Sequence, residues 1–166
     1  MSKKLIWTIV AVVAVAAIVA VVLVFAKPAE KNVEGTLEEL MAKVYEGIPE
    51  ENLPMMLGNI EVNSENVEGF LGTTEVTYKE AIASESMVGS IAHSVVLIRF
   101  NDAKEAIAAV ETLKTSVNPR KWICVEASNV VVKNKGDLVV IIMSDSEMTS
   151  ENEALAPKLE ANFDNL

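Results

Sequence analysis

Residues 90–100 read SIAHSVVLIRF. In an extended chain, alternation sets Ala92, Ser94, Val96, Ile98 and Phe100 on one side, and Ile91, His93, Val95, Leu97 and Arg99 on the other. Both sides are largely apolar, as in a strand from the middle of a sheet. The stretch therefore predicts a central strand. Residues 138–143 (LVVIIM) are apolar at every position and predict a second interior strand. Residues 130–133 precede it, joined through Asn134-Lys135-Gly136, a turn that suits a short hairpin with Gly136 at positive φ. Residues 121–127 read as a further strand. Residues 75–88 lean to a strand from the alternation at Val76 and Tyr78.

Helices surround these runs. Thr36 and Glu39 form a capping box, and Leu37, Leu40, Met41, Val44, Tyr45 and Ile48 follow at helical spacing, with Gly47 as the C-cap. Ser64 is expected to cap a short helix carrying Val67, Phe70 and Leu71 and closed by Gly72. Asp102 caps another, with Glu105 in the capping-box position and a buried stripe of Ala103, Ala106, Ile107, Val110, Leu113 and Val117. Asn118-Pro119 ends it, because the residue before proline leaves the α region. Leu155, Leu159 and Phe163 keep helical spacing, with Pro157 in the first turn. Residues 48–63, with Pro49 and Pro54, read as an irregular segment over the core. The order of elements argues for an α+β fold, a mainly antiparallel sheet covered by helices on at least one face.

N-terminal to this domain lie residues 5–26, LIWTIVAVVAVAAIVAVVLVFA, without charge, Gly or Pro. About 20 apolar residues span a hydrocarbon core as a helix. The fourteen Leu, Ile, Val and Phe in the run favour insertion by about 4–8 kcal/mol. The chain divides into a flank at 1–4, a transmembrane anchor at 5–26, a polar linker at 27–35 and one domain at 36–166. Lys3 and Lys4 are the only charges before the anchor, which predicts a cytoplasmic N-terminus and an extracytoplasmic domain. A cleaved signal peptide is the alternative; the apolar run is longer than the usual signal core. Lipoprotein processing requires a cysteine just after that core, and none is there.

Charge and cysteine count exclude several classes. Twelve of the 14 basic residues and all 24 acidic residues follow the anchor, a net of −12. Nucleic acid and anionic headgroups repel such a domain. Cys124 is the only cysteine, so neither an internal disulfide nor a multi-cysteine metal site can form. The acidic run Asp145, Glu147, Glu151 and Glu153 lacks the Gly and ligand spacing of a calcium loop. No phosphate-binding glycine loop, dinucleotide fingerprint or serine elbow is present. No metal or cofactor is expected.

Two constellations carry candidate chemistry. His93 and Cys124, both in expected central strands, are the minimum for thiol catalysis. Their spacing matches no nucleophile motif, and each is more readily read as a core residue. Arg120, Lys121 and Trp122 place two cations beside an aromatic ring in an acidic domain. They could hold an anion or carboxylate; the simpler reading is that the cations complement a helix C-terminus with Trp122 as a core anchor.

The runs IAHSVV at 91–96 and NPRKWICV at 118–125, with the Gly136-Asp137 hairpin, resemble an uncharacterised family of small envelope proteins of clostridia-type Gram-positive bacteria. The resemblance covers roughly residues 36–145 and implies one extracytoplasmic domain behind a lipoprotein signal or a single anchor. It implies no reaction. The expected function is a membrane-anchored binding module of the cell envelope, with an envelope protein or small ligand as partner. An envelope thiol hydrolase using Cys124 and His93, and a pilin-like structural subunit, are the alternatives. The pilin-like reading is weakened by Pro28 and by the absence of an early acidic residue in the anchor.

Overall fold

Every residue of strand β3, His93–Arg99, is buried, because the strand lies in the middle of a sheet covered on both faces. The computed structural model describes residues 31–145 and 155–166. The anchor expected at 5–26, and the acidic run beyond Asp145 up to residue 154, lie outside the described residues. No described helix is long and apolar enough to cross a membrane.

The elements follow in the order α1 (Leu37–Val44), β1 (Leu57–Glu61), α2 (Val67–Leu71), β2 (Glu80–Ser86), β3, α3 (Ala103–Ser116), β4 (Asn129–Lys135), β5 (Leu138–Ser144) and α4 (Leu155–Asp164). The fold is α+β. Five strands make one sheet in the order β1-β2-β3-β5-β4, and every neighbouring pair is antiparallel. On one face Ala92, Val96, Ile98 and Phe100 pack with α2 and α3. On the other, Val95 and Leu97 pack with Leu37, Leu40, Met41 and Val44 of α1 and Leu155, Leu159 and Phe163 of α4. This partition follows the alternation of residues 90–100. Burying a Leu or Ile stabilises by about 1.5–3 kcal/mol, and the wholly apolar β5 buries residues on both faces.

The caps explain the helix boundaries. Thr36 and Glu39 make both capping-box bonds at the start of α1. The last carbonyls of α1 are met from another element: Asn162 of α4 donates to the carbonyls of Val44 and Glu46 at 2.8 and 2.9 Å, which satisfies acceptors the helix itself cannot. Asp102 accepts from the amides of Lys104 and Glu105, while Glu105 reaches the backbone and side chain of Asn101 rather than the cap residue. Gly72 ends α2 in the left-handed region at φ 72°. A side chain there would collide with the carbonyl of Ser116, so α2 and α3 approach closely at their C-terminal ends.

Five expectations are corrected. Residues 121–127 are irregular, not a strand: Cys124 sits at φ 62°, which ends any extended run, and Trp122 and Val125 reach the core from a loop. Residues 48–63 contain a 3₁₀ turn, Glu50–Asn52, and the edge strand β1; its sequence LGNIE is half exposed and shows no apolar alternation. Ile107 is 58% exposed, because α3 meets the sheet through Ala103, Ala106, Ala109, Val110 and Leu113. The helix expected from Ser64 begins at Val67, after Asn66, where Asn63 and Asn66 take the local amides. The strand expected over 75–88 is confined to β2.

Candidate functional site

The strands have two ends. At one lie the C-termini of β1, β3 and β4, the β4–β5 turn and the start of the described chain. At the other lie the N-termini of β1, β3 and β4 and the loops 53–56, 87–92 and 117–128.

The first end is built on Arg99, the last residue of β3. An arginine on a buried strand face must be paired to be tolerated. Its Nη1 lies 3.1 Å from Asp137 Oδ2, and its Nε lies 2.9 Å from Glu80 Oε1. Asp137 is 1% exposed. The remaining donors hold the linker: Nη1 donates to the Val33 carbonyl at 2.8 Å and Nη2 to the Gly35 carbonyl at 2.7 Å. Asp137 Oδ1 accepts from the Val33 amide at 2.8 Å. A side chain on Gly136 (φ 53°) would strike the carbonyl of Lys31. Residues 31–35 are thus strapped to the domain rather than free as a tether.

The second end collects the residues singled out in the sequence, and separates them. His93 is fully buried, and its Nε2 lies 2.7 Å from the hydroxyl of Tyr45, the residue that closes α1. Either tautomer leaves Nδ1 without a partner among the described residues. Burial lowers the His93 pKa from 6.5 to about 4, so the ring is neutral at ordinary pH. Burial raises the Tyr45 phenol, a hydrogen bond with Ser84 opposing it. His93 shares its side of β3 with Val95 and Leu97, hence the face of α1 and α4. Cys124 is exposed, on a loop whose Trp122 and Val125 pack on the opposite face. The imidazole is thus buried on one face while the thiol is exposed on a loop whose neighbours pack against the other, and no described contact joins them.

Arg120, Lys121 and Trp122 also part company. Lys121 turns inward: Nζ lies 3.2 Å from Glu85 and 3.3 Å from Ser94 Oγ, and 4.4 and 5.2 Å from the ring centres of Phe70 and Trp122. Burial pulls its pKa down, with the Glu85 carboxylate opposing. It is a core cation held by charge pairing and by ring faces. Arg120 stays outside, 3.1 Å from Glu126. With Trp122, Cys124, Val125 and Glu126 it lines a shallow depression of about 290 Å³. The Trp122 indole N–H is buried without a partner among the described residues. Each cation thus has a carboxylate partner within the chain, Lys121 in a largely buried pair and Arg120 in an exposed one. Among the described residues no three His, Cys, Asp or Glu side chains are placed to hold a metal.

What the sequence reading missed is the apolar character of this end. Met55, Met56, Met87 and Ile123 are 67, 69, 54 and 72% exposed. Backbone bonds draw their loops together: Met87 N–H to the Met56 carbonyl at 3.0 Å, and Ile123 N–H to the Gly89 carbonyl at 3.0 Å. Ser86 Oγ donates to the Met55 carbonyl at 2.8 Å. The Met87 side chain lies over Gly58, where any β-carbon would meet its methyl. Met56 (φ 54°) and Cys124 (φ 62°) are the only non-glycine residues at positive φ among those described, a backbone cost of order 1–2 kcal/mol each. Large exposed apolar patches mark interaction surfaces, and strained backbone collects at them. The sequence signal was Pro54-Met55-Met56, two methionines after a proline with no helical or alternating pattern to bury them.

Comparison with known proteins adds no relative: no family model, no curated protein and no solved structure matches this chain.

Proposed function

We propose that the chain is a single-pass membrane protein, anchored by residues 5–26 with its N-terminus in the cytoplasm, whose α+β domain acts outside it as a non-catalytic binding module of the envelope. The observation that carries this reading is polarity along the strands. The linker is strapped at one end by Arg99 and Asp137, and the exposed methionines and Ile123 lie at the other. Four residues, 27–30, separate the apolar run from the first described residue. At about 3.5 Å each they reach no more than about 14 Å, so a strapped linker keeps the first end near the bilayer and turns the loop end away from it. The likeness to small envelope proteins of clostridia-type bacteria belongs to the same proposal. Thiol catalysis does not, with His93 buried against Tyr45 and Cys124 exposed on a loop.

The exposed, single Cys124 supplies the test. A membrane-impermeant maleimide added to intact cells labels Cys124 of the full-length chain, and alkaline extraction leaves the chain in the membrane fraction. Labelling only after lysis sinks the extracytoplasmic placement, and release by alkali sinks the anchor.

A further inference from the structure

The exposed apolar end has a charge pattern that says what it fits. The two cations of the loop 117–128 are both paired within the chain, Lys121 with Glu85 and Arg120 with Glu126. Glu50 and Glu51 are exposed on the 3₁₀ turn that leads into Leu53-Pro54-Met55-Met56, and no described cation lies within ion-pairing distance of either. The apolar surface thus carries uncompensated negative charge at its rim, in a domain already at −12. Three of the four apolar side chains are methionines, unbranched and polarizable, which remould to different apolar partners. Such a rim disfavours an acidic surface and an anionic bilayer, and a second copy of this chain would bring the same charge.

We propose that Met55, Met56, Met87 and Ile123, rimmed by Glu50 and Glu51, form the docking surface for a segment of another protein that presents apolar side chains flanked by lysine or arginine. This rests on the binding-module reading and names the partner's chemistry. The apolar centre supplies affinity; the acidic rim supplies orientation and rate of encounter.

The test uses the full chain in phosphatidylcholine nanodiscs and three fluorescent amphipathic peptides of equal length. Each has a leucine face, and the other face is lysine, glutamate or serine. Polarisation titrations are corrected against empty nanodiscs. The lysine peptide binds about tenfold or more tightly than the glutamate peptide. Combined Met55→Ser, Met87→Ser and Ile123→Ser weakens it about tenfold while leaving thermal unfolding in place, since all three side chains are exposed. Glu50→Lys with Glu51→Lys weakens it about threefold or more, a gap that closes in high salt. Equal binding of lysine and glutamate peptides overturns the inference, as does lysine-peptide binding indifferent to the triple substitution. If the serine peptide binds as well as the lysine peptide and the triple substitution abolishes both, the binding module stands and the basic partner falls. A chain that dimerises through this surface, measured by sedimentation and dispersed by the triple substitution, also overturns it. The maleimide experiment on intact cells reads the anchor and topology separately from all of these.

Discussion

The two ends of the sheet treat charge and greasiness in opposite ways. At the strapped end the polar groups are inside: Arg99 and Asp137 are buried, paired with each other, and their remaining hydrogen bonds hold the chain at Val33 and Gly35. At the loop end large apolar side chains are outside; the buried His93 is neutral, and the one largely buried ion pair described there, Lys121–Glu85, ties no linker. A buried ion pair is weak evidence for net stability but is strongly destabilising to break. An exposed methionine is the reverse: deleting it costs the fold almost nothing. The first end is therefore built to stay as it is, and the second can be altered without unfolding the domain. That division is expected when one end holds a position and the other meets a partner.

The comparison is most exposed to Asp137→Ala. It leaves Arg99 buried with only the half-exposed Glu80 as counter-ion and frees the Val33 amide, so a loss of about 3–5 kcal/mol is expected. Denaturant titration of the full chain in micelles measures it. A loss under about 1 kcal/mol would show that the strapped end is not a structural lock. Trypsin cleavage near Lys31 should accelerate in the same variant.

Acid is the next lever. With a folded pKa of about 4 against 6.5, His93 refuses between those values a proton that the unfolded chain accepts. Stability is therefore unaffected by this group above pH 6.5, falls as pH drops toward 4, and is flat below. The loss amounts to about 3 kcal/mol. His93→Gln retains an acceptor for Tyr45 and cannot titrate. Its denaturation midpoint should lack that fall, and parallel pH profiles for the two proteins would refute the account of His93. Tyr45→Phe strips the imidazole of its 2.7 Å partner and should cost about 1–3 kcal/mol at neutral pH.

The smallest effects belong to the exposed loops. Ile123→Ser should move stability by no more than about 0.5 kcal/mol. Cys124→Gly should raise it by up to about 1 kcal/mol, because glycine accepts φ 62° without steric cost. A substantial loss from either would mean that these side chains support the fold rather than face a partner.

Much of this architecture was written locally. Alternation over residues 90–100 assigned each side chain of β3 to its face, and the Thr36–Glu39 and Asp102 caps set two helix starts, because a cap acts within three residues of itself. The failures came where a short pattern met a longer-range constraint. Residues 121–127 look like a strand, but a strand exists only if a neighbour offers a ladder, and the edge beside β2 is taken by β1. Ile107 fits the helical stripe, but α3 rests on alanines, and a slight rotation of the helix puts the isoleucine in water. The candidate site was less legible still. Lys121 and Arg120 are adjacent in sequence and point to different environments, and Met55, Met87 and Ile123 come from loops more than thirty residues apart.

The sequence by itself determined that the chain is acidic beyond an uncharged apolar run, that it folds as α+β, and that the central strands of its sheet are apolar on both sides. Those properties depend on composition and on periods of two and 3.6 residues. Only the tertiary structure decided that Arg99 and Asp137 seize the linker, that His93 is enclosed while Cys124 is exposed on a loop, and that three methionines and an isoleucine remain unburied at one end of the sheet. Each depends on contacts between residues distant in the chain, and on which of two apolar faces a loop reaches, and no local pattern encodes either.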